Sequence, residues 1–327
     1  MEPVRAEQAR AFWVTEPGLG SIRDEILPNP SSSDAVIRTR YTGISRGTES
    51  LVFMGKVPAA EQQRMRAPFQ AGEFPGPVKY GYCNVGQVES GPPDLLGQHV
   101  FSLFPHQTRF VVPAASLHVL PADVPPSRAV LAANMETAVN GVWDAGILPG
   151  DRVAVVGAGA VGCLVAWLAG QIRGTEVCLV DVNPARAQVA AALGVGFALP
   201  ADAPGERDLV MHTSGAPAGL ALALTLAAFE ATIVEMSWFG AQVVPLALGE
   251  AFHSKRLTIR SSQVGHVATA HRARWDYRRR MTFALTLLRE PVLDALITGE
   301  DRFEDLPAVM HALATSERDA ICHRIRY

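Results

Sequence analysis

The first 120 residues alternate between apolar and polar positions in short stretches, which is the pattern of β-strands. The segment "DAVIRTRYTGIS" places Arg38 and Arg40 on one face and Ile37 and Tyr41 on the other. The segments "NVGQVES" and "HVFSLFPHQTRFVVPAASLHVL" continue in similar pieces that Gly and Pro interrupt. Many short strands with this punctuation predict a small β-barrel or sandwich.

The middle of the chain changes to strands that alternate with helices. We predict strands at "RVAVVG", "EVCLVD", "DLVMHTSG", "ATIVEMSWFG" and "LTIRSS". Helices are predicted at "AVGCLVAWLAGQIR", ended by Gly174, and around "AGLALALTLAAF". Two more helices should begin at N-caps, one at Ser127 running to about Trp143 and one at Asn183 with Pro184 at its first position. This alternation predicts a parallel sheet covered by helices on both faces.

The last part of the chain reads as helical and charged. The segments "HRARWDYRRRMTFALTLLRE" and "EDLPAVMHALATSE" predict helices, and "ICHRIRY" predicts a final strand. The segment His271–Arg280 is strongly basic and contains two aromatic residues. Nucleic-acid binding would require such a basic run to lie on an exposed groove of matching geometry. We favour a solvated helix face with Trp275 packed inward. A role in guiding an anionic substrate, such as a chlorin propionate, stays open.

Composition narrows the class of protein. Hydrophobic residues make up 48% and charged residues 19%, which is typical of a core-forming globular chain. The net charge of -3 offers no general attraction to nucleic acid or an anionic membrane. Four scattered cysteines without a C-x-x-C pair predict reduced thiols in a cytoplasmic protein. The opening "MEPVRAEQAR" lacks an apolar core, so we expect no signal peptide.

The stretch "VAVVGAGAVGCLVAWLAG", Val153–Gly170, is uncharged and long enough to raise the question of a membrane span. Its "GAGAVG" fits the G-x-G-x-x-G fingerprint between a strand and a helix. Gly157 permits the tight turn, Gly159 lets the backbone approach a pyrophosphate, and Gly162 allows close helix–sheet packing. We therefore predict the strand–turn–helix of a soluble dinucleotide-binding domain and not a membrane span. Ala160 and Val161 would be the first residues of the helix, whose N-terminal N–H groups face the phosphates.

A carboxylate follows at the position that this reading requires. Asp181 closes the next strand, 24 residues after Gly157, where it would accept a hydrogen bond from the ribose 2'-hydroxyl. Because a 2'-phosphate would be repelled there, Asp181 favours NAD, while Arg186 leaves NADP open. Further cofactor contacts are predicted at the carboxyl ends of the strands. These are Val182, Asn183, Ser214, Gly215, Ser237 and Trp238.

A strand-rich N-terminal region, the late "GAGAVG" unit and a C-terminal return resemble the medium-chain dehydrogenase/reductase family, the relatives of zinc alcohol dehydrogenase. The resemblance covers nearly the whole chain. It implies an α/β protein with a GroES-like β-rich catalytic domain at residues 1–126 and a Rossmann domain at 127–263. A segment at 264–327 would return to the catalytic domain. It further implies a cleft between the domains, cofactor contacts at Gln263 and Val264, and a homodimer or homotetramer.

Zinc members of this family carry C-G-x-C-G-x-D and G-H-E motifs that hold the catalytic metal. Here "TGISRGTE" places Ser45 at the second cysteine, and "KYGYCNVGQV" places Tyr82 at the histidine and Cys83 at the glutamate. The third ligand position matches Glu136, and the four-cysteine lobe of the structural zinc is absent. Because zinc prefers thiolate, imidazole or several carboxylates, this set predicts that the metal is lost.

The segments "GISRGTES", "APFQAGEFPGPVKYGYCNVG" and "FPHQTRFVVPA" resemble one branch more closely, the hydroxyethyl-bacteriochlorophyllide dehydrogenase-like proteins. That branch is named for oxidising a hydroxyethyl substituent of a chlorin ring with NAD. The leading hypothesis is therefore a zinc-independent NAD(H) oxidoreductase acting on a secondary alcohol or ketone. An NADPH-dependent quinone or enoyl reductase, and a non-catalytic dinucleotide-sensing or RNA-binding relative, are the alternatives.

Without zinc, a side chain or a bound water must polarise the substrate oxygen. Tyr82 is the first candidate, with a hydrogen-bonded core tyrosine as the alternative. His106 is a candidate proton relay or a structural histidine, and Ser45 either orients substrate or satisfies its turn. Glu136 is assigned to the catalytic set or to pairing with a nearby base.

Three further residues are predicted to line the substrate site. Arg46 and Glu49 follow Ser45 in the same turn, and Glu49 is expected to position the cofactor or Arg46. Lys79 would meet an acidic substrate, or else be a solvated lysine. The residues from Met54 to Pro75 are predicted to form a mobile, partly basic lid. We predict a small-molecule substrate, no nucleic acid or membrane partner, and no metal.

Overall fold

The computed structural model describes residues 8–327. These residues form two compact units. The first comprises the chain up to Ala133 with Leu285–Arg289 and Ile297–Tyr327, and the second comprises Asn134–Ala284 with Glu290–Leu296. The domain boundaries expected from the sequence stay a prediction. Most of the N-terminal segment that was expected to lack a signal peptide lies outside the described residues.

The described residues contain strands and helices that we number in chain order. The strands are β1 Gln8–Glu16, β2 Leu19–Ile26, β3 Asp34–Ile44, β4 Ala71–Gly72, β5 Val78–Lys79, β6 Asn84–Ser90, β7 His99–Ser102, β8 Arg109–Pro113, β9 His118–Val119, β10 Arg152–Val156, β11 Glu176–Val180, β12 Gly196–Ala198, β13 Arg207–His212, β14 Ala227–Glu235, β15 Thr258–Ser261, β16 Ile297–Arg302 and β17 Cys322–Arg326. The α-helices are α1 Arg46–Phe53, α2 Ala132–Ala145, α3 Ala160–Gly170, α4 Arg186–Ala192, α5 Pro217–Leu226, α6 Tyr277–Leu287 and α7 Leu306–Ala314.

The first unit is rich in short strands, as the alternating pattern predicts. One sheet has the order β16-β17-β3-β6-β7-β9 with β8 also paired to β3, and a second has the order β2-β1-β5-β4. Strand β17, from the end of the chain, pairs antiparallel with β3, so that His323 faces Ile44. The core of this unit holds fully buried Ile37, Phe101 and Phe110. The chain end thus returns to the β-rich unit.

The second unit is built on a six-stranded sheet in the order β12-β11-β10-β13-β14-β15. All of its neighbouring strands run parallel. This is the 3-2-1-4-5-6 order of the doubly wound dinucleotide-binding fold. The order reverses between β10 and β13, so that ligands bind in this fold outside the carboxyl ends of these two strands. The predicted α/β class, with a Rossmann sheet and a β-rich GroES-like unit, is confirmed.

The uncharged stretch that raised the question of a membrane span is divided between two elements. Strand β10 ends at Val156 and helix α3 begins at Ala160, with the glycine turn between them. Across residues 8–327, no helix combines the length and the apolar character that a membrane span needs.

Several predicted element boundaries are wrong by a few residues, each for a local reason. The regular helix expected from Asn183 starts at Arg186, but the Asn183 side chain accepts from the Ala185 N–H, which is the hydrogen bond of the predicted N-cap. The helix expected from His271 starts only at Tyr277. There the Asp276 carboxylate accepts from the Arg279 N–H, in the manner of an N-cap.

Other boundaries differ in the same way. The helix predicted from Ser127 begins as a 3₁₀ turn at Ala129–Leu131 before α2 continues it. Helix α3 ends at Gly170 rather than at Gly174. Strand β16 was not predicted, since its sequence "ITGEDR" carries mostly polar and charged residues.

Candidate functional site

The glycine turn of the second unit has the conformation that dinucleotide binding requires. Gly157 has φ of 109°, in the region that favours glycine, and a Cβ there would lie 2.6 Å from the Ser214 Cα. A Cβ on Gly162 would collide with the Gly157 carbonyl oxygen. Gly159 is the residue before helix α3, and a Cβ there would meet no atom within 4 Å. Gly157 and Gly162 are therefore required by packing, whereas Gly159 leaves open space beside the helix N-terminus.

Asp181 follows strand β11 and its carboxylate organises the turn. One oxygen accepts from the Ala158 N–H at 2.7 Å, and the other accepts from the Asn183 N–H at 2.8 Å. Each carboxylate oxygen has a second lone pair, so Asp181 can also accept from a ribose hydroxyl. Its neighbour Val182 is 80% exposed and offers an apolar surface at the strand end. Arg186 is partly buried at the start of α4.

At the ends of β13 and β14, polar side chains are joined by hydrogen bonds. Ser214 is exposed, and its hydroxyl lies 2.6 Å from His212 Nε2. The Glu235 carboxylate lies 2.7 Å from His212 Nδ1, and the Gly215 N–H donates to the Ser237 hydroxyl at 3.0 Å. The predicted residues Ser214, Gly215 and Ser237 are thus in contact through one network. Trp238 lies next to it in sequence and is partly buried.

The segment around Gln263 and Val264 is held by a buried arginine. Arg280, 1% exposed, donates to the Val264 carbonyl at 2.6 Å and to the Glu136 carboxylate at 3.0 Å. It also donates to the Asn140 side chain at 2.6 Å. Burial raises the pKa of Glu136, and the Arg280 charge opposes that rise. Glu136 is therefore the carboxylate partner of a base, as the second of the two sequence hypotheses expected.

Arg280 was missed by sequence reasoning because it belongs to a basic run that favours a solvated face. Most of that run is exposed, and Trp275 is partly buried against Trp143 at a ring distance of 4.8 Å. The signal available in the sequence was the position of Arg280 on the apolar side of α6, four residues before buried Ala284. The arginine is thus an internal support rather than a surface charge.

In the first unit, Tyr82 lies beside the turn that opened the question of a metal. The Ser45 and Thr48 side chains lie close enough to its phenol to influence the phenol's pKa by hydrogen bonding. Burial raises the pKa of the Tyr82 phenol well above its usual value, and Cys83 and Glu49 add to the rise. The phenol is therefore a neutral hydrogen-bond donor near neutral pH. The structure brings Tyr82 and Ser45 together, as their assignment to one site requires.

Behind this turn lies a buried polar chain. Glu49, 3% exposed, accepts from the Ser45 N–H at 2.7 Å. Its other oxygen lies 2.8 Å from His106 Nε2, and His106 Nδ1 lies 2.7 Å from the Thr42 hydroxyl. The Thr42 hydroxyl in turn lies 3.2 Å from the Tyr327 hydroxyl. Glu49 and His106 thus fix the backbone at Ser45, and Thr42 and Tyr327 are members that sequence reasoning did not find.

Two predicted substrate-lining residues have other partners. Lys79 is buried, and its ammonium donates to Glu25 and to Gln107, both at 2.7 Å. This is neither the solvated lysine nor the substrate-facing one that the sequence suggested, since strands β2 and β5 bring a carboxylate to it inside the unit. Arg46 pairs with Asp319 at 3.1 Å near the surface.

The residues at the three family ligand positions fit zinc poorly. A metal ligand must be deprotonated, and burial raises the pKa of the Tyr82 phenol rather than lowering it. Ser45 offers only a hydroxyl, and Glu136 is committed to Arg280. Among residues 8–327, no group of three His, Cys, Asp or Glu side chains has the arrangement of a metal site. The donor chemistry therefore does not match the metal that relatives of this fold hold.

Comparison with known proteins agrees with this architecture. A 2-desacetyl-2-hydroxyethyl bacteriochlorophyllide A dehydrogenase of Rhodobacter capsulatus is 32% identical over 215 residues, 58% of this chain and 61% of that relative. An L-threonine 3-dehydrogenase of Bacillus velezensis is 30% identical over 257 residues, 67% of this chain and 73% of that relative. No protein-family model matches the chain.

Solved structures show the same fold. An alcohol dehydrogenase of Escherichia coli CFT073, complexed with NADH, superposes with a TM-score of 0.76 at 17% identity, over 98% of this chain and 99% of that one. With the sequence matches, this similarity shows that the chain belongs to the medium-chain dehydrogenase/reductase family. The match to the bacteriochlorophyllide dehydrogenase covers less than two thirds of that relative's length.

Proposed function

We propose that this protein is an NAD(H)-dependent oxidoreductase that transfers a hydride between a secondary alcohol or ketone and the nicotinamide, without a catalytic zinc. The observation that carries the proposal is the glycine turn with Asp181 at its side. Neighbouring atoms leave no room for a side chain at Gly157 or Gly162, whereas the space beside Gly159 is open to a pyrophosphate. Helix α3 begins directly after Gly159, so its N-terminus faces that space.

Asp181 supports NAD over NADP. Its carboxylate stands at the end of β11, where the ribose 2'-hydroxyl would donate to it and a 2'-phosphate would be repelled. Val182, exposed beside it, gives an apolar surface for the adenine ring. Arg186 is the nearest cation in sequence and is the residue that would moderate the preference.

Tyr82 is the proposed proton donor. When bound, the nicotinamide supplies or accepts the hydride. The Tyr82 phenol donates its proton to the oxygen of a ketone substrate and becomes a phenolate, and in the opposite direction that phenolate accepts the proton of an alcohol. The Ser45 and Thr48 hydroxyls hold the phenol, and their hydrogen bonds favour its ionised form in the moment after transfer.

The Glu49–His106 pair is proposed to keep this donor in place. The Glu49 carboxylate accepts from the Ser45 N–H and so fixes the turn whose Ser45 and Thr48 side chains lie beside Tyr82. His106 contacts the other oxygen of the same carboxylate. Both side chains are buried, which fixes their geometry and excludes water from them. In this account they are positioning residues, whereas Tyr82 and Ser45 face the reacting oxygen.

The similarity to the bacteriochlorophyllide dehydrogenase supports a substrate with a hydroxyethyl group on a chlorin-like ring. The proposal includes a homodimer or homotetramer, as the family resemblance implies, and a cytoplasmic location, as the scattered cysteines predict. The substrate-lining roles of Arg46 and Lys79 become less attractive, because both cations have carboxylate partners within the first unit.

The test combines cofactor binding, turnover and metal content on untagged protein purified without chelator. We expect NADH to bind more tightly than NADPH, turnover on secondary alcohols with NAD, and no stoichiometric zinc. The variant Asp181→Asn, which keeps the side-chain volume but removes the negative charge, should lose the preference for NADH over NADPH. Binding without turnover on any alcohol or ketone would indicate a non-catalytic relative. Turnover of enones or quinones with NADPH would indicate the reductase alternative.

A further inference from the structure

Outside the proposed proton donor, the second unit contains a second organised polar cluster. It consists of Ser214, His212 and Glu235, with Ser237 beside them. The Ser214 hydroxyl is 2.6 Å from His212 Nε2, and the Glu235 carboxylate is 2.7 Å from His212 Nδ1. His212 is fully buried, whereas Ser214 is exposed. The serine end of this chain of hydrogen bonds therefore reaches the surface, Glu235 at the other end is partly buried, and the histidine between them is buried.

The direction of each hydrogen bond follows from the groups present. An ionised Glu235 can only accept, so His212 Nδ1 carries the proton that bonds to it. In a neutral imidazole, Nε2 is then an acceptor, and the Ser214 O–H must donate to it. The Ser214 oxygen accepts from the Ala216 N–H at 3.1 Å, which leaves it one lone pair. In this state the serine presents an acceptor to a ligand.

Protonation of His212 reverses this arrangement. The imidazolium donates from both nitrogens, one to Glu235 and one to the Ser214 oxygen. The serine O–H is then released from Nε2 and can donate to the Ala216 carbonyl, 3.5 Å away, or to a ligand. The same side chain thus offers an acceptor to a ligand when His212 is neutral and a donor when His212 is charged.

The position of Ser214 tells which ligand would meet it. A Cβ on Gly157 would lie 2.6 Å from both the Ser214 Cα and N atoms, so the serine packs directly against the first glycine of the dinucleotide turn. Resting on the proposed function, we infer that the Ser214 hydroxyl contacts the bound dinucleotide, and that the protonation state of His212 sets whether it accepts from a ribose hydroxyl or donates to a phosphate oxygen.

Apolar and uncharged groups make up most of the surroundings of His212. Helix α5, which packs over the pair through Gly219, has no ionisable residue in its sequence. Phe239 stacks on the imidazole at a ring distance of 6.0 Å, and the Ser237 hydroxyl lies 3.3 Å from Nδ1. Glu235 is the charged group that contacts the imidazole. On the neighbouring strand β10, Val156 is the residue paired with His212. Asp181, on β11, is engaged with the Ala158 and Asn183 N–H groups.

Serine, histidine and a carboxylate in this order are also the members of a hydrolytic triad. Here the backbone donors nearest the serine are engaged. The Gly215 N–H donates to Ser237, and the Ala216 N–H donates to Ser214 itself. A tetrahedral oxyanion on Ser214 would therefore lack free donors from these two groups. We accordingly expect no labelling of Ser214 by a fluorophosphonate.

The experiment measures NADH affinity by fluorescence between about pH 5.5 and about pH 8.5, the range over which histidine changes its charge. The proteins are the parent, Ser214→Ala and His212→Gln, with Ser254→Ala as a control serine elsewhere in the second unit. For the parent and the control we expect binding to tighten by about tenfold toward low pH, because a donor to a phosphate oxygen is gained.

In Ser214→Ala the pH dependence should be lost, since the hydroxyl that His212 redirects is absent. His212→Gln should also be flat, provided that its melting temperature shows a folded protein. Ser214→Ala, which changes an exposed side chain, tests the inference even if His212→Gln does not fold. A pH dependence that persists in Ser214→Ala would overturn the inference. If the parent fails to bind NADH at any pH, the proposed function itself fails.

Discussion

Replacing Arg280 by methionine tests whether a buried ion pair supports the second unit. The substitution keeps an unbranched side chain in the space but removes the guanidinium that donates to Glu136, Asn140 and Val264. Removing one partner of a buried pair typically costs about 3–5 kcal/mol, because the remaining charge stays buried without compensation. We therefore expect Arg280→Met to lower the free energy of unfolding by about that amount near pH 8.

The loss should depend on pH, and its sign follows from Glu136. Burial raises the pKa of this carboxyl above its ordinary value of 4.5, and Arg280 is the group that opposes the rise. A folded-state pKa above the unfolded one means that the stabilising contribution is complete below pH 4.5 and is lost as pH rises through the folded value. In Arg280→Met the pKa of Glu136 rises further, at about 1.4 kcal/mol per unit. The variant should therefore be less destabilised near pH 5 than near pH 8.

Urea unfolding at the two pH values, followed by tryptophan fluorescence, measures this difference. Trp143 and Trp275 lie in the second unit and report on it directly. The double variant Arg280→Met with Glu136→Gln should recover part of the stability at the higher pH, because no carboxylate is then left to ionise. An equal loss at both pH values, or a loss below about 1 kcal/mol, would refute the buried-pair reasoning.

Three further outcomes are expected. Gly162→Ala should lower the melting temperature and weaken NADH binding at least about tenfold, whereas Gly159→Ala should leave the melting temperature unchanged and weaken binding alone; equal melting temperatures would contradict the packing at Gly162. His106→Leu should cost about 2–3 kcal/mol in chemical denaturation, because Glu49 keeps a buried and unpaired oxygen, and a stability within error of the parent would count against the pair. All four cysteines are buried and burial raises the pKa of each, so a thiol reagent near pH 8 should titrate none in the native protein and four after denaturation; a rapidly reacting native thiol would be inconsistent with this environment.

The parts of the site that the sequence predicted are those encoded within a few residues of one another. The turn from Gly157 to Gly162 joins one strand to the next helix, so its glycines and the following Asp181 could be placed from spacing alone. Ser45 and Tyr82, by contrast, lie in separate segments of the sequence. They could be assigned to one site only through the family motifs that they match.

The rest depends on contacts between distant positions, which periodicity does not encode. Arg280 pairs with a glutamate 144 positions away, and Lys79 pairs with one 54 positions away. Each reads as a surface cation in the sequence because its partner is contributed by another element. His212 carries no sequence signal of its hydrogen bonds for the same reason, since Glu235 reaches it from the neighbouring strand, 23 positions later.

The central claim is that a protein side chain, Tyr82, moves the proton where relatives with zinc use the metal. The most direct test is the rate of NAD-linked turnover of a secondary alcohol or ketone by chelator-treated parent and chelator-treated Tyr82→Phe. We expect the parent to keep its rate, and Tyr82→Phe to lose about a hundredfold in kcat with an unchanged Kd for NADH. A parent that loses activity on chelation and regains it with zinc would contradict the account.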